Sequence, residues 1–443
     1  MKVLWVCNLL PPMVAEKLNM PGSNKEGWIT GALVRMAGEP KDYRMVTELA
    51  IAYPVKDVAG QTKASVTLEN DLKITCYGYY EDQTQPENYC MELEPRFVNI
   101  IRSYEPDVIH IFGTEYGHTL GTLKAVESVR ELAKNDSSIK VPEVLVAIQG
   151  VIYRCGEEYT ADLPKEIVES RTFRDLLKKD NIAQQQAKFL ERGEMEKEAL
   201  SLAVNVTGRT DFDREAALKI NPQVKYYYMN ETLREPFYTG TWDVSECDRH
   251  TIFVSQADYP LKGFHILLEA MPMILEHFAD AKIRVAGTNI TSYSSLKDKI
   301  KISGYGKYLR TLIAAYHLTD KVEFVGRLDA ESMKKEYLRC HTYVCPSSIE
   351  NSPNSMGEAM LLGVPVVASR AGGIPSMITE DEEGRLFDPC NSEGLADDII
   401  HIWKDDGLAT EMGASAMNRA RLTHNADTNY NRLIEIYTEI TKL

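Results

Sequence analysis

The sequence predicts an α/β protein with two doubly wound domains, each built on a parallel sheet. Three observations carry this. Short β-branched runs alternate with helical stretches along nearly the whole chain. The strand runs are almost continuously apolar, as expected for parallel strands covered by helices on both faces. The strand series occurs twice, and 443 residues exceed what one core ordinarily accommodates.

The first series reads "KVLWVC" (2–7), "DVIHIF" (107–112), "EVLVAI" (143–148), "AVNVTG" (203–208) and "VKYYYM" (224–229). The second reads "TIFVS" (251–255), "KIRVAG" (282–287), "KVEFVG" (321–326), "TYVCP" (342–346) and "VPVVAS" (364–369). Helical patterns lie between them, as in "GFHILLEAMPMILEHF" (263–278). The polar stretch 230–250 separates the two series. We therefore expect an amino-terminal Rossmann-like domain over 1–240 and a carboxyl-terminal one over 241–424. A terminal helix follows over 425–443, with Tyr430, Leu433, Ile434 and Tyr437 on one apolar face, able to cross back to the first domain. Ligands of open α/β sheets sit beyond the carboxyl ends of the strands. Two such domains facing a central cleft would suit a two-substrate reaction.

Composition narrows the class. A formal net charge of −15 argues against nucleic acid as a partner, because each phosphate contact needs a cation. No apolar run approaches the roughly 20 residues that span a bilayer. The opening "MKVLWVCNLLPP" mimics a signal peptide, but Asn8 and the Pro11–Pro12 pair cut the run short, so a buried first strand is the better reading. Eight scattered cysteines without zinc-type spacing fit reduced thiols and a cytoplasmic protein.

The stretch "SSIENSPNSMGEAMLLGVPVVASRAGGIP" (347–375) carries the chemistry. After strand "TYVCP", Ser352 is a good N-cap and Pro353 suits the first helical position. Amides of Asn354, Ser355 and Met356 would then point outward, and a helix start suits an anion. Yet two acids, Glu350 and Glu358, bracket it. Carboxylates accept hydrogen bonds from hydroxyls, so a phosphate flanked by hydroxyl-rich groups resolves the conflict. A nucleotide-sugar has that form. Taken alone, Glu358 reads equally well as an early-helix acid favoured by the dipole, and Glu350 as a solvated loop residue. A diphosphate also needs cations, and Lys262, before Gly263 at the start of a helix, is placed to supply one.

This order closely resembles the retaining glycosyltransferases of family 4, of the GT-B type. The match runs through Glu350, seven residues, Glu358, "AMLLGVPVVAS" and "AGGIP" (371–375). The resemblance implies that Glu350 contacts hydroxyls of the transferred sugar at the reacting centre and is the catalytic residue to test first. It implies that Glu358 holds the ribose and that the Ser355 and Met356 amides hold the diphosphate. Lys262 would grip the diphosphate, with Gln256 where the family has an arginine. Arg327, after "VEFVG", would line the ribose end. In the amino-terminal half, Gly27 would belong to a glycine-rich loop, and Gln149 would stand where the family often has a histidine. Arg209 and Arg154 are candidates to replace the missing cation. The pattern departs from the family at "NSPNS", where Phe-Gly is common, and at Ser376.

The resemblance thus implies a metal-independent retaining glycosyltransferase of glycan or glycoconjugate biosynthesis, without a cofactor. It would use a nucleotide-sugar donor and a glycan or lipid-linked saccharide acceptor. The neutral Gln256 and Gln149 leave two alternatives open: a non-catalytic sugar-nucleotide or glycan-binding protein, and an epimerase or hydrolase on the same fold. His110 reads as a core histidine, while His118 reads as exposed and receives no role. "TDFDR" (210–214) reads as a helix start rather than a metal motif. Residues 165–199 hold eight charges of each sign and read as a solvated helical face. The sharper alternative is that Arg171, Arg174, Lys178 and Lys179 approach an anionic membrane at its inner face, as a peripheral contact.

Overall fold

A computed structural model of the protein describes residues 1–21 and 27–442. The chain divides into two compact units. The first comprises Met1–Tyr153, Leu190–Thr232 and His424–Leu443, and the second Arg154–Phe189 and Leu233–Thr423.

The first unit contains eight strands: β1 (Lys2–Val6), β2 (Glu48–Val55), β3 (Lys63–Thr67), β4 (Lys73–Tyr80), β5 (Val108–Phe112), β6 (Glu143–Ala147), β7 (Asn205–Gly208) and β8 (Lys225–Tyr228). Their order is β3-β4-β2-β1-β5-β6-β7-β8, parallel throughout except for the antiparallel β3/β4 pair. The chain reverses its direction of travel across the sheet between β1 and β5. Alternate residues of β1 enter opposite cores, Leu4 and Val6 on one face, Val3 and Trp5 on the other. Helix Ala426–Thr441 belongs to this unit and buries Tyr430, Leu433 and Tyr437. The Tyr437 hydroxyl accepts from Trp5 Nε1 at 3.0 Å and shares a hydrogen bond with His110 Nδ1 at 2.7 Å. Burial lowers the His110 pKa to about 3 and keeps the ring neutral.

The second unit contains β9 (Thr251–Val254), β10 (Lys282–Ala286), β11 (Val322–Gly326), β12 (Thr342–Cys345), β13 (Val366–Ser369) and β14 (Arg385–Phe387). Their order is β11-β10-β9-β12-β13-β14, all parallel, and the reversal falls between β9 and β12.

Four strands were not expected from the sequence. β2 carries Pro54 and two alanines, β3 is a half-exposed antiparallel edge, β4 contains Gly78, and β14 has three residues. Each lacks the unbroken β-branched run of a central strand.

The division also differs from 1–240, 241–424 and 425–443, because residues 154–189 cluster with the second unit. Buried polar contacts hold them there. His265 Nε2 donates to Ala161 O at 3.0 Å, and Asp175 Oδ2 accepts the Gly304 amide at 2.9 Å. Burial lowers the His265 pKa to about 4, so it acts as a neutral clip. Among the described residues no helix is long and apolar enough to cross a membrane.

Candidate functional site

Three adjacent loops of the second unit assemble the site, beyond the carboxyl ends of β9, β12 and β13. In open α/β sheets the ligand crevice lies at the reversal of strand order, here between β9 and β12. After β9 the chain makes a single turn, Pro260–Lys262, then passes through Gly263 into helix Phe264–His277. Gly263 has φ +64°, and a Cβ there would stand 1.8 Å from Pro346 O in the loop after β12. No other residue permits that approach. The Ser348 amide donates to Leu261 O at 2.9 Å and ties the same two loops together.

The loop after β13 braces the far side. Gly372 has φ +56°, and a Cβ there would stand 2.0 Å from Glu350 O. The Gly373 amide donates to that same oxygen at 2.9 Å. Glu350 is thus clamped by its backbone while its side chain stays partly exposed. Its Oε1 accepts from Lys262 Nζ at 2.5 Å and from Ser347 Oγ at 2.8 Å. Ser369 Oγ in turn donates to Ser347 O at 2.5 Å. The Lys262 ammonium lies 5.6 Å from the centre of the Tyr259 ring. Burial favours the neutral amine, but Glu350 outweighs it and holds the Lys262 pKa well above its ordinary value. The group is a full cation at neutral pH.

Helix Asn354–Leu361 begins one residue later than the sequence suggests, with Pro353 rather than Ser352 at the cap and no side-chain cap. The Met356 amide donates to Pro353 O at 3.0 Å, so the expected open amide at Met356 is already used. Met356 itself is fully buried. The Ser355 amide has no acceptor among the described residues. Ser355 is positioned by two tyrosines: Tyr343 Oη donates to its Oγ at 2.9 Å and Tyr337 Oη to its carbonyl at 2.8 Å.

Glu358 lies one turn further in, 3% exposed, and is not a free carboxylate. Arg234 Nε and Nη2 each donate to one of its oxygens at 2.7 Å. This bidentate geometry is the strongest form of the pair. Burial opposes the Arg234 charge, and Glu358 overrides it, raising the pKa further. Each carboxylate oxygen keeps a second lone-pair direction. Arg234 went unnoticed in the polar stretch 230–250, where no local pattern distinguishes it, and Ser347 and Tyr259 were likewise missed.

Gln256 sits just past β9, half-buried, with no hydrogen bond to another described residue. Arg327 follows β11 and is exposed. Both therefore belong to the carboxyl edge of the second sheet.

The expected residues of the first half are placed differently. Arg209 is 5% exposed at its side chain and pairs with Glu231 at 2.8 Å. Gln149 Nε2 donates to the other Glu231 oxygen at 2.5 Å. Both are bound into a part-buried network within the first unit. Arg154 is engaged by Glu157 at 3.3 Å and Glu158 at 3.6 Å. Gly27 opens helix Gly27–Gly38, while Glu26 and the rest of 22–26 lie outside the described residues. Gly31 serves packing, because a Cβ there would meet the Thr232 side chain at 2.6 Å. His118 is fully buried rather than exposed, with Nδ1 2.9 Å from Glu81. Thr210 caps helix Asp211–Ile220 by accepting from the Asp213 amide.

A family comparison covers this edge of the second unit. Residues 244–419 match the model of glycosyl transferases, group 1. The match lies within the second unit, and Lys262, Glu350 and Glu358 all fall inside it. An uncharacterized glycosyltransferase of Methanocaldococcus jannaschii is 30% identical over 165 residues, 37% of this chain and 38% of that protein. A D-inositol 3-phosphate glycosyltransferase of Corynebacterium urealyticum is 27% identical over 180 residues, 41% of each chain. The chain thus spans about two fifths of the length of these curated relatives.

Solved structures extend the likeness in fold to the whole chain. Sucrose-phosphate synthase from Thermosynechococcus elongatus superposes with a TM-score of 0.65 at 16% identity, covering 99% of both chains. Anabaena HepE in complex with UDP gives 0.61 at 16% identity over 99% of this chain and 100% of the other. The shared feature is the fold: two parallel-sheet α/β domains of the GT-B type.

Proposed function

We propose that the protein is a retaining, metal-independent glycosyltransferase of family 4. It would move a sugar from a nucleotide-sugar on the second unit to a glycan or lipid-linked acceptor. The observation that carries this is the Lys262–Glu350 pair, two opposite charges in braced loops at the strand-order reversal of a glycosyltransferase domain. It answers why an acid stands beside an anion site. In the free protein, Lys262 is neutralised by Glu350. A diphosphate takes over the ammonium and releases Glu350 to accept hydrogen bonds from sugar hydroxyls.

In this reading Lys262 and the Ser355 amide stabilise the charge that grows on the departing diphosphate, the role a metal fills elsewhere. Glu350 sits beside the transferred sugar and stabilises the positive charge developing there. The acceptor hydroxyl attacks the face that the diphosphate leaves and passes its proton to the departing phosphate oxygen, so the anomeric configuration is retained. Glu358 reaches the ribose through its remaining lone pairs, and Arg234 fixes its orientation. HepE has been solved with UDP-glucose, which makes UDP-sugars the first donors to try.

The test is a panel of UDP-, ADP-, GDP- and dTDP-sugars, with and without EDTA, read by thermal shift and by nucleoside diphosphate release. One donor should raise the melting temperature, as saturating a native-state site near 100 times Kd adds about 2.7 kcal/mol. Release should require a saccharide acceptor, survive EDTA and yield a product with the donor's anomeric configuration. The reading fails if no donor stabilises the protein, if EDTA abolishes release, or if the configuration inverts.

A further inference from the structure

Two short helices of the second unit, Phe173–Lys178 and Leu296–Lys301, pack on each other. Their outer surface is apolar. Leu176 and Leu177 are 58% and 69% exposed, Leu296 78%, Phe173 60% and Ile300 52%. Soluble proteins tolerate such side chains singly, whereas a contiguous group marks an interaction surface.

The charges around this group are sorted by sign. Asp175 is buried, closes the capping box at Thr172 and accepts the Gly304 amide. Asp298 closes the equivalent box at Ser295. Asp180 is held by both Arg174 nitrogens, at 2.7 and 2.9 Å, which removes Arg174 from the cations expected to be free. Arg171, Lys178 and Lys179 are exposed on or just beside one helix, and Lys297, Lys299 and Lys301 on the other. Of the exposed acids that precede Arg171, Glu169 lies 3.7 Å from Lys165. A chain with a net charge of −15 therefore presents a local positive field around an apolar centre.

From this geometry we infer that the two helices form a docking surface for an anionic phospholipid membrane. Leucine and phenylalanine side chains enter the headgroup–acyl boundary, and the lysine ring meets lipid phosphates. Phe173, Leu176 and Leu177 share one helix, while Leu296 and Ile300 on the other are one turn apart and also face outward. A protein partner would have to be as acidic as the bilayer surface to satisfy the same ring. The contact is peripheral and reversible, and it is independent of whether the second unit transfers sugar.

The test is co-sedimentation of the full chain with vesicles of phosphatidylcholine alone and of phosphatidylcholine with phosphatidylglycerol. Wild type should bind only the anionic vesicles and be released by salt. Two double variants separate the contributions: Leu176→Ser with Leu177→Ser, and Lys178→Glu with Lys179→Glu. Each should weaken binding on the order of tenfold or more with an unchanged melting temperature. All four positions are exposed, and none lies in the proposed donor site. Equal binding to both vesicle types, no binding by wild type, or full binding by both variants overturns the inference. So does a wild-type dimer, lost in the leucine variant, that ignores vesicles.

Discussion

Arg209–Glu231 in the first unit and Lys262–Glu350 in the second are both cation–carboxylate pairs beyond the carboxyl ends of parallel strands, yet they serve different ends. The Arg209 and Glu231 side chains are 5% and 9% exposed, and Gln149 completes their network. The Lys262 and Glu350 side chains are 19% and 16% exposed. The first pair lies towards the β7/β8 edge of its sheet, the second at the reversal of strand order. A buried pair with a third partner is a brace. A pair reachable by solvent, joined through one carboxylate oxygen and the flexible lysine stem, can exchange its partner for a ligand. In the proposed reading, position in the topology and access to water separate the brace from the site, not the residue types.

The largest expected effect breaks the brace. Arg209→Met leaves the Glu231 carboxylate buried opposite an apolar side chain, and removing one partner of such a pair costs about 3–5 kcal/mol. Urea denaturation should show that loss, while nucleotide affinity in the second unit should hold within experimental error. A loss of affinity with little loss of stability would reverse the roles assigned to the two pairs.

The next effect sharpens the structural reading of the first unit. Glu196 is 1% exposed, and burial raises its pKa to about 7 against the opposing hydrogen bonds from Thr114 and the Tyr153 amide. Because the folded pKa exceeds the unfolded one, the native state is favoured while Glu196 is protonated. That contribution is complete below the ordinary value of 4.5 and is lost as pH rises through about 7. A shift of this size corresponds to about 3 kcal/mol. Glu196→Gln should flatten the pH dependence of stability between pH 5 and pH 8 by an amount of that order. Parallel curves for wild type and variant would exclude the mechanism.

Much of this was legible in the sequence, and the limits have a physical pattern. β9 and β12 were visible because central parallel strands are apolar on both faces. Lys262 and Glu350 were each visible because a loop between strand and helix leaves a local signature. Their union was not, since 88 residues separate them and only the register of β9 beside β12 brings them together. The same reason hid Arg234, which is 124 residues from Glu358. The open Met356 amide was misjudged because a helix start can close on itself through its own cap carbonyl. His118 was misjudged because its acid partner, Glu81, follows β4, a strand whose Gly78 obscured it.

The central claim is that Glu350 is a releasable counter-charge that acts at the transferred sugar. Glu350→Gln, assayed with the donor that stabilises the protein, measures it most directly. Turnover should fall on the order of 10²–10³-fold. Donor Kd should stay within about threefold and the melting temperature should hardly move, since the amide oxygen can still accept from Lys262 and Ser347. Undiminished turnover would contradict the claim. Equal losses in turnover and donor affinity would contradict it as well, by making Glu350 a binding group and nothing more.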